Sequence, residues 1–187
     1  MSTPKQILCI DIEATCFENR PPNKFPEQRN EIIEVGITPM NVKTYELGES
    51  ESVIVLPPTT EVNAFCTQLT TLTPEYVASN GKKFSDAMDY IEKKYRLSKS
   101  IFASWGDYDR KSFEKNCKWN GVSNPVSNMV LNVKTLFAAI YGYNGGLDKC
   151  AADIGIPFEG THHRGDADSR MVAKILQKLL IGTKATS

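Results

Sequence analysis

The most constraining feature of this chain is a short apolar run, Ile7-Leu8-Cys9-Ile10, that stops at Asp11-Ile12-Glu13. A run with no polar alternation suits a central strand covered on both faces. Side chains alternate along a strand, so Asp11 and Glu13 share one face at its carboxyl end. Two carboxylates side by side repel each other and lose hydration, so they need a cation or shared protons unless solvent reaches both. The chain therefore opens on a solvated strand end or on a site.

The pattern that follows fixes the class. Glu31–Thr38 and Thr44–Leu56 read as strands around a turn at Pro39-Met40-Asn41, which predicts a hairpin and three strands in succession. Between the first two, the Pro/Asn-rich stretch from Glu18 to Arg29 reads as a surface loop, long enough to suggest a functional lid. After Pro57-Pro58 the reading turns helical. Phe84, Ala87, Met88, Ile91 and Tyr95 form an amphipathic stripe, and Ser100–Trp105 and Met129–Val133 are short strands, each leading into a helix. A further helix starts at Gly145-Gly146 and is closed by Gly155 and Pro157. The last runs through Met171, Val172, Ile175, Leu176, Leu179 and Leu180 to Gly182. Strands first and alternating helices and strands afterwards predict an α/β chain with a mixed sheet.

Composition narrows the function. Lys and Arg balance Asp and Glu at 22 each over 187 residues, so bulk basicity does not grip a long nucleic acid, although a small nucleotide site remains open. No apolar run is long enough to cross a bilayer and Met1–Gln6 lacks a secretory profile, so no membrane partner is expected. Cys9, Cys16, Cys66, Cys117 and Cys150 are odd in number and without metal-knuckle spacing, which predicts reduced, mostly buried thiols and a cytoplasmic location.

Two more acidic stretches lie beside the ends of predicted elements. Asp109, with Asp107 as its rival, follows the Ser100–Trp105 strand at a helix start. His163-Arg164-Gly165-Asp166-Ala167-Asp168 opens the final helix and holds, with His162, both histidines of the chain. Taken singly, each acid reads as a helix cap. Together, Asp11, Glu13, Asp109 and Asp168 supply the hard oxygen ligands of Mg²⁺ or Mn²⁺. A pair of such ions roughly 4 Å apart can stabilise the attacking and the leaving oxygen of a phosphoryl displacement. A histidine can accept the proton of the attacking water near neutral pH.

Asp11-Ile-Glu13-Ala-Thr-Cys, Ser104-Trp-Gly-Asp-Tyr-Asp109 and His163-x4-Asp168 resemble the three motifs of the DEDDh branch of the 3′–5′ exonucleases. The chain is most similar to the histone-mRNA 3′-end and RNA-interference-regulating subfamily. That likeness rests also on Glu31-Ile-Ile-Glu34-Val-Gly and on Phe65-Cys66-x-x-Leu69-Thr70-x-Leu72-Thr73. The resemblance implies an RNase H-like fold, a mixed five-stranded sheet with helices on both faces, in one exonuclease domain over residues 1–187 with its core at about 7–181. It implies Asp11, Glu13, Asp109 and Asp168 as metal ligands for two Mg²⁺ or Mn²⁺ ions, and His163 as general base. It further implies that the backbone at Glu13, Ala14 and Thr15 contacts the terminal nucleotide and that Phe65 and Tyr108 stack on its base. Arg110 departs from the motif and reads as a phosphate contact or a surface charge; Asp166 reads as a cap or supporting acid.

The expected activity is stepwise release of nucleoside 5′-monophosphates from single-stranded 3′ ends, RNA before DNA. A DNA proofreading or repair exonuclease and a non-catalytic RNA-end-binding module are the alternatives.

Overall fold

The computed structural model describes residues 3–19 and 25–184. Five strands form one mixed sheet in the order β3-β2-β1-β4-β5. The central strand β1 (Gln6–Ala14) runs antiparallel to β2 (Ile32–Asn41), which carries β3 (Glu51–Ile54) antiparallel on its far side. On the other flank of β1 lie β4 (Ile101–Ser104) and β5 (Val130–Asn132), both parallel to it. Helices α1 (Ala64–Thr70), α2 (Pro74–Asn80) and α3 (Phe84–Tyr95) fall between β3 and β4. After β4 come α4 (Tyr108–Asn120), α5 (Val133–Tyr141), α6 (Leu147–Asp153) and α7 (Gly165–Lys184).

The uninterrupted apolar run of β1 is explained by two cores. Leu8, Ile10 and Ile12 pack under Phe84, Met88 and Ile91 of α3 and Phe113 of α4. Ile7 and Cys9 face the other way, onto Phe137 of α5, Cys150 of α6 and Val172, Ile175 and Leu176 of α7. Each large side chain buried in this way contributes about 1.5–3 kcal/mol. Asp11 and Glu13 continue the Ile7–Cys9 face and so point toward the α7 side.

The expected hairpin needs correcting at its turn. Pro39 and Met40 lie within β2, opposite Leu8 and Ile7, and the chain reverses at Asn41–Tyr45, where Tyr45 takes a φ of 62°. Pro39 is tolerated in the strand because β3 has already ended at Glu51 on that side. Its carbonyl accepts the Gly48 amide there, away from β1, so the missing proline N–H costs no bond to the central strand. The second arm is correspondingly shorter than Thr44–Leu56. At the other end α7 continues past Gly182, since one exposed glycine costs a helix only about 1 kcal/mol. Residues 20–24 of the expected lid lie outside the described residues; Pro26–Gln28 form a 3₁₀ turn.

Candidate active site

The carboxyl end of β1 places the first two acids. Asp11 sits opposite Gly36 of β2 and Glu13 opposite Glu34. Like charges directly across an antiparallel pair are unfavourable. One of them is neutralised: Glu34 is fully buried and accepts Arg164 Nε at 3.2 Å, Arg164 Nη2 at 3.1 Å and the Gly165 amide at 2.9 Å.

Asp109 comes from the first turn of α4. Its rival Asp107 occupies the N-cap position without a side-chain cap bond and pairs loosely with Lys111 at 3.7 Å. Asp109 is instead buried, and its Oδ1 accepts the Ile12 amide of β1 at 3.1 Å. That bond ties the second acidic stretch to the first and turns the carboxylate toward Asp11.

The third stretch is fixed by backbone contact. Gly36 and Gly165 pack face to face: a Cβ on Gly36 would lie 1.8 Å from the Gly165 carbonyl oxygen, and one on Gly165 would lie 2.7 Å from the Gly36 nitrogen. No other residue type fits at either position, so the start of α7 lies directly on β2. Asp168, one turn into α7, accepts the His163 amide at 2.9 Å. His163 takes a φ of 57°, a left-handed conformation that leaves its imidazole exposed above the acids. The cap reading of Asp168 therefore holds for one of its oxygens and leaves the carboxylate in the site.

Asp11, Glu13, Asp109, His163 and Asp168 line one cleft of about 410 Å³. Burial, reinforced by Asp109 and Glu13, holds the Asp11 carboxyl well above the carboxylate range. Burial followed by Asp168 and Glu34 pushes Glu13 up to about 8, against the pull of Arg164. Burial likewise lifts Asp109 to about 7, opposed by its bond from Ile12, and raises Asp168, opposed by the His163 amide. None of the four forms an ion pair among the described residues. Four crowded, partly desolvated carboxylates without a cation are what a divalent ion would relieve. The donor set fits: oxygen ligands suit Mg²⁺ or Mn²⁺, and Glu13, His163 and Asp168 offer ligand atoms within 4.8 Å of one another.

Not every expected residue reaches the cleft. Tyr108 lines it and is half exposed. Phe65 is exposed on the first turn of α1, beside the end of β1, where Cys66 Sγ lies 3.7 Å from the Ala14 carbonyl, but it is not part of the lining. Ala14 is buried. Thr15 has its amide on the Glu31 carbonyl, its carbonyl on Asn30 Nδ2 and its hydroxyl between the Arg29 carbonyl and the Glu31 amide. These bonds pin the 29–31 segment to the end of β1. Arg110 pairs with Glu114 at 3.7 Å, and neither Arg110 nor Asp166 lines the cleft.

Leu147 and Asp148 also line it with no signal in the sequence, as do His162, named there only beside His163, and Trp105, present there only as a motif position. The Trp105 indole donates to the Gly145 carbonyl at 3.2 Å, which brings the start of α6 to the cleft. His162 stacks on Phe158 with ring centroids 3.6 Å apart. Glu34 likewise stood in a matched motif with no role attached.

An exonuclease family model matches residues 8–176, and the chain belongs to that family, in its metal-dependent DEDDh branch. Among curated relatives, the 3′-5′ exonuclease Snipper of Drosophila melanogaster is 23% identical over 93% of this chain and 69% of its own length. The 3′-5′ exoribonuclease 1 of Homo sapiens is 28% identical over 93% of this chain, which spans about half (52%) of that protein. Among solved structures, the nuclease domain of 3′hExo bound to rAMP superposes with a TM-score of 0.83 at 25% identity, covering 97% of this chain and 94% of that one. A full-length 3′-exonuclease gives 0.84 at 25% identity, with the chain spanning 62% of its length. The mixed five-stranded sheet is thus the RNase H-like exonuclease fold.

Proposed function

We propose that this chain is a 3′–5′ exoribonuclease that removes nucleoside 5′-monophosphates one at a time from single-stranded RNA ends. The observation that carries the reading is the convergence of Asp11, Glu13, Asp109 and Asp168 with His163 on one cleft. Kinship supports the direction and the substrate, since its relatives are named as 3′-5′ exonucleases and exoribonucleases.

Asp11, Glu13, Asp109 and Asp168 would hold two divalent cations, Mg²⁺ or Mn²⁺, which supply charge neutralisation at the scissile phosphate and at the leaving oxygen. The Ile12 amide fixes the Asp109 carboxylate, and the His163 amide fixes that of Asp168, so little reorganisation is needed when substrate enters. The His163 imidazole, exposed beside Glu13 and Asp168, accepts the proton of the attacking water at a ring nitrogen. Tyr108 offers its ring to the terminal base, and Phe65 stands ready beside the cleft for the same purpose. We place the enzyme in the cytoplasm, a proposal that five free thiols support.

The test compares 5′-labelled RNA and DNA oligonucleotides of matched sequence, with Mg²⁺ and with EDTA. The expected result is a ladder shortening from the 3′ end with Mg²⁺ only, faster on RNA. Faster loss of the DNA would assign a DNA-directed role, and binding without products would make the chain an RNA-end-binding module.

A further inference from the structure

A cleft lined by four acids repels the phosphates of its own substrate, and the chain carries no net charge to offset this. A nucleic acid longer than one nucleotide must then be gripped by cations clustered locally. The arrangement of α4 meets that requirement. Its inner face buries Asp109, Phe113, Asn116 and Cys117. On the opposite face Tyr108, Lys111, Lys115 and Lys118 follow at i, i+3, i+7 and i+10, and all four are exposed.

The stripe begins inside the cleft, because Tyr108 is one of its lining residues and is 51% exposed. Lys111 lies 3.7 Å from Asp107, whereas Lys115 and Lys118 have no ion-pair partner among the described residues. At the far end the Arg29 guanidinium sits 5.0 Å from the centroid of the Trp119 ring. Cations in a row with an aromatic ring at each end are the two components of single-strand binding: charges for the backbone and flat surfaces for the bases. With a helical rise of 1.5 Å per residue, Tyr108 to Lys118 spans about 15 Å, room for several phosphates of an extended strand.

We propose that the outer face of α4 is the track for the nucleotides upstream of the scissile bond, with Lys111, Lys115 and Lys118 on successive phosphates and Trp119 as the outer stacking surface. The track rests on the exoribonuclease reading above and extends it beyond the terminal nucleotide. A separate group of cations, Lys5, Arg96 and Lys99, lines a hollow that includes Gln6 at the amino end of β1, the end opposite the acids, and serves as the internal control.

The test is fluorescence anisotropy of a short labelled oligouridylate in EDTA, where no hydrolysis occurs, measured over a range of salt concentrations. Each phosphate contact on a single strand contributes about 0.7 to the slope of log affinity against log salt, so Lys111→Gln/Lys115→Gln/Lys118→Gln is expected to lower the slope by about 2. Affinity at the lowest salt falls at least tenfold, on the order of one decade for the lost contacts together. Replacement of the same three by arginine keeps the slope, and so does Lys5→Gln/Arg96→Gln/Lys99→Gln. An unchanged slope in the α4 variant, or an equal drop in the control, overturns the track. Failure of the wild-type chain to release mononucleotides from RNA with Mg²⁺ overturns the exoribonuclease reading instead, and the two results are scored separately.

Discussion

The two halves of the cleft are held by different means. Asp11 and Glu13 on β1 and Asp109 on the first turn of α4, which follows the adjacent parallel strand β4, belong to one half, locked by the bond from the Ile12 amide to Asp109. His163 and Asp168 belong to the other, where a loop in a left-handed turn is tied to β2 by the pair of buried Glu34 with half-buried Arg164 and by glycine packed on glycine. The first half inherits its geometry from the sheet ladder. The second depends on a few contacts bridging about 130 positions of sequence, so it is the half that a remote substitution can detach.

Gly36→Val should have the largest effect, because its side chain would occupy the space of the Gly165 backbone. Overpacking of that kind typically costs about 1–3 kcal/mol or more, and here it also pushes Asp168 out of the cleft. Mg²⁺-dependent hydrolysis is expected to vanish in a labelled-RNA assay while the circular dichroism spectrum stays α/β. Full activity would show that the two halves are not coupled through this contact.

His163→Ala comes next and separates chemistry from architecture within the second half. Loss of a general base lowers turnover by about 10²–10⁴-fold. Substrate affinity and melting temperature should stay close to wild type, since the imidazole is exposed and the turn is held by a backbone amide. Unchanged single-turnover rates would remove His163 from the base role.

Glu34→Gln should weaken the molecule without touching a proposed ligand. Removing one partner of a fully buried ion pair costs about 3 kcal/mol or more, and the cost is smaller here because Arg164 is partly exposed. The expected signature in a denaturant titration is a lower midpoint, with partial recovery of activity at high Mg²⁺ as the cation draws Asp168 back. Equal stability of the variant and wild type would mean the pair contributes nothing to holding α7.

The smallest effect is a pH dependence confined to the metal-free chain. Glu13 rises to about 8 from 4.5 and Asp109 to about 7 from 3.8. Acids raised in the folded state are most stable neutral, so the site's contribution is full below about pH 4 and is lost as pH climbs through 7 and 8. A cation requires them ionised, so its binding near pH 6 should release protons. Calorimetry in buffers of different ionisation enthalpy reads that release directly. Proton uptake, or none, would contradict the raised values.

In both halves the acids were legible in the sequence, and the contacts that hold them were not. The alternation of Asp11 and Glu13 after an apolar run fixes both their shared face and their place on β1. The stripe from Met171 to Leu180 sets the register of α7 and with it the position of Asp168. A choice between Asp107 and Asp109 was beyond local reasoning, because it turns on an amide of β1 almost a hundred residues away. Glu34, Gly36 and Gly165 stood in quoted stretches, but what they do was not legible for the same reason: no sequence period records that two backbones meet. The motif that contains Thr15 did not reveal that its hydroxyl and backbone hold the 29–31 segment.

The most direct measurement counts bound Mn²⁺ by electron paramagnetic resonance in the wild-type chain and in Asp11→Asn and Asp168→Asn, which draw one ligand from each half. The account predicts two ions in the wild type and loss of at least one in each variant, with hydrolysis of RNA abolished in both. Two ions retained at wild-type affinity in either variant would contradict it.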